Sequence, residues 1–159
     1  VKVSEVHGMS QRGGSVVTYV RYGDKVYSPI VSEGEADAVV SFERLEAARW
    51  LPYPKEGGRL IVNDQRIDPM PVITGAAQYP DGVLEKLAAT GANLLAVDAL
   101  SLAEQAGSAK AVNVVLMGVL STLLDIPEEA WQASLEACVP AKFLELNRRA
   151  FALGRNHTA

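Results

Sequence analysis

Three glycines, two serines, a glutamine, an arginine and a histidine fall within nine residues, His7–Ser15 (HGMSQRGGS). Glycine lets the main chain approach a bound group and turn successive N–H groups toward it. Arg12 adds a planar fork that pairs bidentately with a phosphate or a carboxylate. The residues His7, Gly8, Ser10, Gln11, Arg12, Gly13, Gly14 and Ser15 are therefore candidates for contact with a ligand or a partner chain. Gly13-Gly14 leads into β-branched residues rather than a helix, so the stretch is neither a P-loop nor a dinucleotide fingerprint. The competing reading is a flexible strand connection with a surface arginine. His7 has the chemistry of a general acid or base, but no serine or cysteine in a nucleophile's context accompanies it.

Other polar residues have simpler roles. Asp98 closes an apolar run and precedes a helical one, a position that suits either a ligand at a sheet edge or, more simply, a helix N-cap. Asp37 opens a strand and reads as a turn residue. Asn113 and Asn147 lie in apolar helical surroundings, where a buried amide must find hydrogen bonds, so each is expected to tie a loop to the core. Cys138, the single cysteine, reads as a small buried apolar residue, and His157 as a solvated one near the chain end. One cysteine excludes a disulfide within the chain and a cysteine-ligated zinc or iron–sulfur site; with two histidines a metal site would have to lean on carboxylates, and none is expected.

These candidates are positioned by two kinds of pattern. Ser15–Tyr22 (SVVTYVRY) alternates as a strand, and Gly23-Asp24 turns it into Lys25–Ile30, which predicts an antiparallel hairpin whose far arm is weakened by Pro29. From Glu35 strands and helices alternate. Ala36–Phe42, Arg59–Asn63 and Asn93–Asp98 read as strands; Glu43–Leu51, Pro80–Thr90 and Ala99–Gln105 read as helices. That order predicts a three-layer α/β/α fold with a mainly parallel sheet. The last third is helical: Val112–Leu124 is apolar nearly all round and expected to bury Met117 and Leu120. A helix from Asp125 to about Ala137 follows, with Pro127, Glu128 and Glu129 in its first turn. A final helix lines up Phe143, Asn147, Ala150, Phe151 and Gly154.

The chain has 159 residues, 48% hydrophobic and 21% charged, which fits one globular domain with a real core. A net charge of −4 provides no basic field for nucleic acid or an anionic membrane. The longest uncharged stretch, Ala111–Leu124, is 14 residues, short of the roughly 18 that a transmembrane helix needs. VKVSEVHG lacks a signal-peptide pattern, so the expected compartment is cytoplasmic. The chain opens without methionine, and the polypeptide is expected to begin earlier.

The blocks EVHGMSQRGGSVVTYVRYG, KVYSPIVSEGEADAVVSFERLEAARWL, RLIVNDQRIDPMPVITGAAQYP, KAVNVVLMGVL and VPAKFLELNRRAFALG together resemble the beta subunits of indolepyruvate:ferredoxin oxidoreductases. These are relatives of the gamma domains of the wider 2-oxoacid:ferredoxin oxidoreductases. The resemblance spans essentially the whole chain, with HGMSQRGGSV its specific part. It implies a single gamma-type, catalytic-accessory domain over residues 1–159, without the glycine-rich strand–turn–helix that opens the family's domain. It also implies a heteromeric enzyme whose large alpha subunit holds thiamine diphosphate and iron–sulfur clusters and decarboxylates an aryl 2-oxo acid. That subunit reduces ferredoxin and yields an acyl-coenzyme A. On this reading the chain binds no cofactor alone, and the glycine/arginine loop faces the partner's active site, the phosphates of the co-substrate coenzyme A, or both. The rival from another class is a free-standing α/β module that captures an acidic ligand at Arg12.

Overall fold

A computed structural model describes residues 1–4 and 16–157. Strand β1 (Lys2–Ser4) pairs antiparallel with β2 (Tyr19–Arg21), Val3 opposite Val20. An antiparallel pair is present, but with other arms than expected: β2 lies within the expected strand Ser15–Tyr22 and pairs with β1, while Lys25–Ile30 forms no strand. Pro29 has no N–H to donate, and Tyr27 and Ile30 stay 80% and 51% exposed, so the segment would bury nothing by joining a sheet. Arg21 holds it instead, its Nη1 donating to the Ile30 carbonyl at 2.7 Å.

The parallel sheet has the order β3 (Ala36–Ser41), β4 (Pro54–Asn63), β5 (Leu94–Val97). Helix α1 (Arg44–Arg49) links the first two strands. A single turn, α2 (Met70–Ile73), and α3 (Val83–Ala89) link the second and third. Each expected strand of this sheet is found, although β4 starts at Pro54, before an irregularity that shifts the register between Ala36 and Ala38. The turn α2 was not anticipated.

Side chains alternate along β4 and so divide the core in two. Leu60 and Val62 pack with Ala47 of α1 and with Val83 and Leu87 of α3. Ile61 joins Val97 against α4 (Ala99–Ala106), α5 (Val112–Ser121) and α7 (Leu144–Asn156). The result is a helix–sheet–helix sandwich, as expected from the alternation.

Helices α5 and α7 meet at glycines. A Cβ on Gly118 would overlap the carbonyl oxygen of Phe151, and one on Gly154 would overlap that of Val115. The stripe expected on α7 is buried at Ala150, Phe151 and Gly154, whereas Phe143 remains 47% exposed. On α5 the buried residues include Val114, Val115, Leu116 and Val119. Leu120 packs partly buried against the same cluster, but Met117 is 41% exposed rather than internal. Helix α6 (Glu128–Cys138) starts after Pro127, which is its N-cap, and buries no residue fully. It rests on α7 through Trp131, 6.0 Å from the Phe151 ring, and through ion pairs Glu136–Arg148 and Glu128–Arg155. Cys138, expected to be buried, is exposed at the end of α6, beyond the Trp131 and Leu135 contacts that hold that helix.

Candidate functional site

In open α/β sheets ligands collect at the carboxyl ends of the strands, and there this chain concentrates its buried polar groups. Asn63 ends β4 and is 1% exposed. Its Nδ2 donates to the Phe42 carbonyl at 3.1 Å and to Gln65 Oε1 at 2.9 Å, while its Oδ1 accepts from the Ala99 N–H at 3.2 Å. One amide therefore ties the end of β3 and the start of α4 to the end of β4, with every hydrogen bond of its nitrogen used.

Beside it, Glu43 is a buried carboxylate that caps α1. Its Oε1 accepts from the Glu46 N–H and its Oε2 from the Tyr79 hydroxyl at 2.8 Å. That hydroxyl in turn accepts from the Leu45 N–H at 3.1 Å. Two of the donors left open at the helix start are thus satisfied by a pair of residues 36 positions apart. Burial, and then the bond to Glu43, push the Tyr79 phenol up to about 12. The guanidinium of Arg66 lies 4.5 Å over the Tyr79 ring and pairs with Asp68 at 2.6 Å. Arg44 pairs with Asp64 at 2.5 Å. Arg44, Asp64, Arg66, Tyr79 and Asp81 line a polar recess of about 230 Å³. Pro80 separates it from an apolar groove of about 220 Å³ between α1 and α3. Most polar groups on this rim are committed to internal bonds, so its chemistry is that of holding and orienting.

The residues singled out in the sequence are distributed unevenly. His7, Gly8, Ser10, Gln11, Arg12, Gly13, Gly14 and Ser15 lie outside the described residues; the strands on either side of them, β1 and β2, pair with each other. Asp98 is an N-cap, accepting from the Ser101 hydroxyl at 2.6 Å and the Ser101 N–H at 3.0 Å. Those bonds hold its carboxyl below the usual range, with the charge of His157 adding to the effect. Asp37 is paired with Lys55 across β3 and β4. Asn113 is exposed and ties nothing to the core; Asn147 donates to the Phe143 carbonyl at 2.8 Å, one turn away on its own helix. Sequence reasoning missed Asn63, although an asparagine closing the apolar run RLIV was the available signal. It also missed Glu43 with Tyr79, for which no local signal exists. Among the described residues no group of three or more His, Cys, Asp or Glu could hold a metal ion, and no helix is long and apolar enough to cross a membrane.

The pattern of the Pyruvate ferredoxin/flavodoxin oxidoreductase family matches residues 1–157. The chain belongs to that family. Among curated relatives, this oxidoreductase-family chain is 44% identical to the indolepyruvate oxidoreductase subunit IorB of Thermococcus kodakarensis, covering 97% of this chain and 79% of that one. It is 36% identical to the subunit of the same name from Archaeoglobus fulgidus, over 98% and 79% of the two chains. The Methanothermobacter thermautotrophicus subunit of that name is 35% identical, over 97% and 80%. The resemblance carried by HGMSQRGGSV and the blocks around it is borne out. A crystal structure of the pyruvate oxidoreductase subunit PORC from Thermotoga maritima shares the fold, with a TM-score of 0.55 at 22% identity. It covers 76% of this chain, which spans 62% of that chain's length.

Proposed function

We propose that this chain is the small, beta-type subunit of a heteromeric 2-oxoacid:ferredoxin oxidoreductase. The complex oxidatively decarboxylates indolepyruvate or a similar aryl 2-oxo acid to an acyl-coenzyme A and passes electrons to ferredoxin. The observation that carries this reading is 44% identity, over 97% of the chain, to a subunit named for indolepyruvate oxidation. Thiamine diphosphate and the iron–sulfur clusters are assigned to the large alpha subunit, because one cysteine in 159 residues supplies no thiolate set for a cluster. The expected compartment is the cytoplasm.

This chain's contribution is to hold and orient. Arg12, set among glycines, would pair with a phosphate of coenzyme A or a carboxylate of the partner, and its neighbours Gln11, Ser10 and His7 would add hydrogen bonds at the same place. In the reconstituted complex, Arg12→Lys keeps the charge but loses the fork. A lost charge-assisted bond of roughly 1.5–3 kcal/mol lowers kcat/KM for coenzyme A about ten- to hundredfold. Steady-state rates at varied coenzyme A check this. Unchanged rates for both Arg12→Lys and Arg12→Ala would remove the loop from the site. Failure of the native chain to co-purify with a large thiamine-binding chain would overturn the assignment itself.

A further inference from the structure

Helix α6 is fastened less firmly than the helices around it. Of the described helices longer than one turn, it alone buries no residue fully. Trp131, Gln132 and Leu135 are partly buried, and its other residues are exposed. Its ion pairs to α7, Glu136–Arg148 and Glu128–Arg155, leave the two glutamates 55% and 53% exposed. Pairs so open to water contribute little. Helix α7 itself, by contrast, meets α5 backbone to backbone at Gly118 and Gly154.

The contact of α6 with the core also leaves a polar group unserved. Trp131 Nε1 is buried without a hydrogen-bond partner, and no other side-chain nitrogen or oxygen among the described residues is so placed. A buried N–H without an acceptor opposes the docked state and meets water as soon as the helix lifts. The ends of the helix suit such a movement. Pro127 and Pro140 bracket it, both in extended backbone with ψ of 143° and 137°, and neither has an N–H to carry helical bonding across the boundary. Beyond them the chain is anchored by Leu123 on one side and Leu146 on the other, each packed against the core.

We propose that α6 is a hinged flap. It lifts from α7 as one unit between Pro127 and Pro140 while α4, α5 and α7 stay packed. Lifting uncovers the surface around Phe151, whose ring lies 6.0 Å from that of Trp131. Once free, this helix of 11 residues is shorter than the roughly 12–15 that hold helical form alone in water, so its amides become open to exchange together.

Native-state hydrogen exchange of the full chain is the test. Corrected for intrinsic rates, the amides of residues 131–139 are expected to exchange at least about tenfold faster than those of α5 and α7, and with a weaker dependence on denaturant. Exchange of α6 in step with α5 and α7, reached only through global unfolding, overturns the proposal. So does a gradient from the helix ends toward its middle, which is the mark of fraying. A second measurement addresses the indole. Replacing Trp131 by 3-benzothienylalanine keeps the fused rings but puts sulfur in place of the N–H. Exchange in α6 is then expected to slow about five- to hundredfold, because the docked state no longer leaves a donor unpaired. Unchanged or faster exchange would show that the N–H does not drive the opening and would likewise overturn the flap as argued.

Discussion

The two faces of the parallel sheet are packed by different means. On one, α4, α5 and α7 close over Ile61 and Val97 with apolar side chains, and two helices touch backbone to backbone at Gly118 and Gly154. On the other, α1 and α3 cover Leu60 and Val62, but the layer is completed by a phenol and a carboxylate, Tyr79 and Glu43, bonded to each other and to the start of α1. The first face admits no rearrangement without moving main chain. The second is fastened by a few directional bonds at the rim where the candidate site lies. Rigidity on one side and specific fastening on the other suit a chain whose role is to hold a rim in place for another molecule.

The largest expected effect is on the glycine face. Helix propensity alone predicts that Gly118→Ala stabilises by up to about 1 kcal/mol. The added methyl, however, would meet the Phe151 carbonyl, which is backbone and cannot turn aside. A net loss of about 3 kcal/mol in denaturant unfolding is expected. A gain in stability would mean that the two helices separate freely and that the contrast between the faces is false.

Next in size is the clasp. Tyr79→Phe removes the hydroxyl that serves both Glu43 and the Leu45 N–H, which is expected to cost about 1–3 kcal/mol. The pH dependence has a definite sign. Folding raises the phenol from its ordinary 10.0 to about 12, so above pH 10 the unfolded chain releases a proton that the folded chain keeps. The stabilisation is whole below pH 10 and is lost as the pH climbs toward 12. Phenolate absorbance followed with unfolding curves should show a late-titrating tyrosine that is absent in Tyr79→Phe, and the alkaline loss of stability should shrink in that variant. If the tyrosine lost from the titration in Tyr79→Phe is one that ionises at the ordinary pH, the clasp is open in solution.

The smallest effect sharpens the comparison at the shared rim. Asp98→Ala removes the cap of α4 and is expected to cost about 1 kcal/mol. Because folding lowers this carboxyl, its contribution is present above the ordinary aspartate range and is lost as the pH falls through the folded value. Acid unfolding of Asp98→Ala against the wild type measures that difference.

How much of this could be read in advance depends on whether the signal was local. Alternating strand and helix patterns located β3, α1, β5 and α4, and Asp98 followed by a helical run announced its own cap. Periodicity reports which residues are apolar, not which neighbours cover them. Met117 sits in an apolar run and is still exposed, and Lys25–Ile30 has strand-like residues without a surface to join. Partners distant in sequence were invisible: Glu43 with Tyr79, and Gly118 with Phe151, are chosen by topology alone. At the candidate site two rim residues carried a local cue: Asp98, an acid before a helical run, and Asn63, a polar end to a buried strand. The glycine/arginine loop was legible as a motif but carries its meaning through family resemblance.

Asn63 has a mechanical consequence. Its single amide group grips the carbonyl that follows β3, the turn that follows β4 and the first N–H of α4 after β5. Three strand ends are thereby keyed to one another like the sectors of an arch around its central stone. A push delivered to any of them, by a ligand settling or a neighbouring chain closing, stretches bonds to the other two. The rim therefore answers such a push as one stiff body.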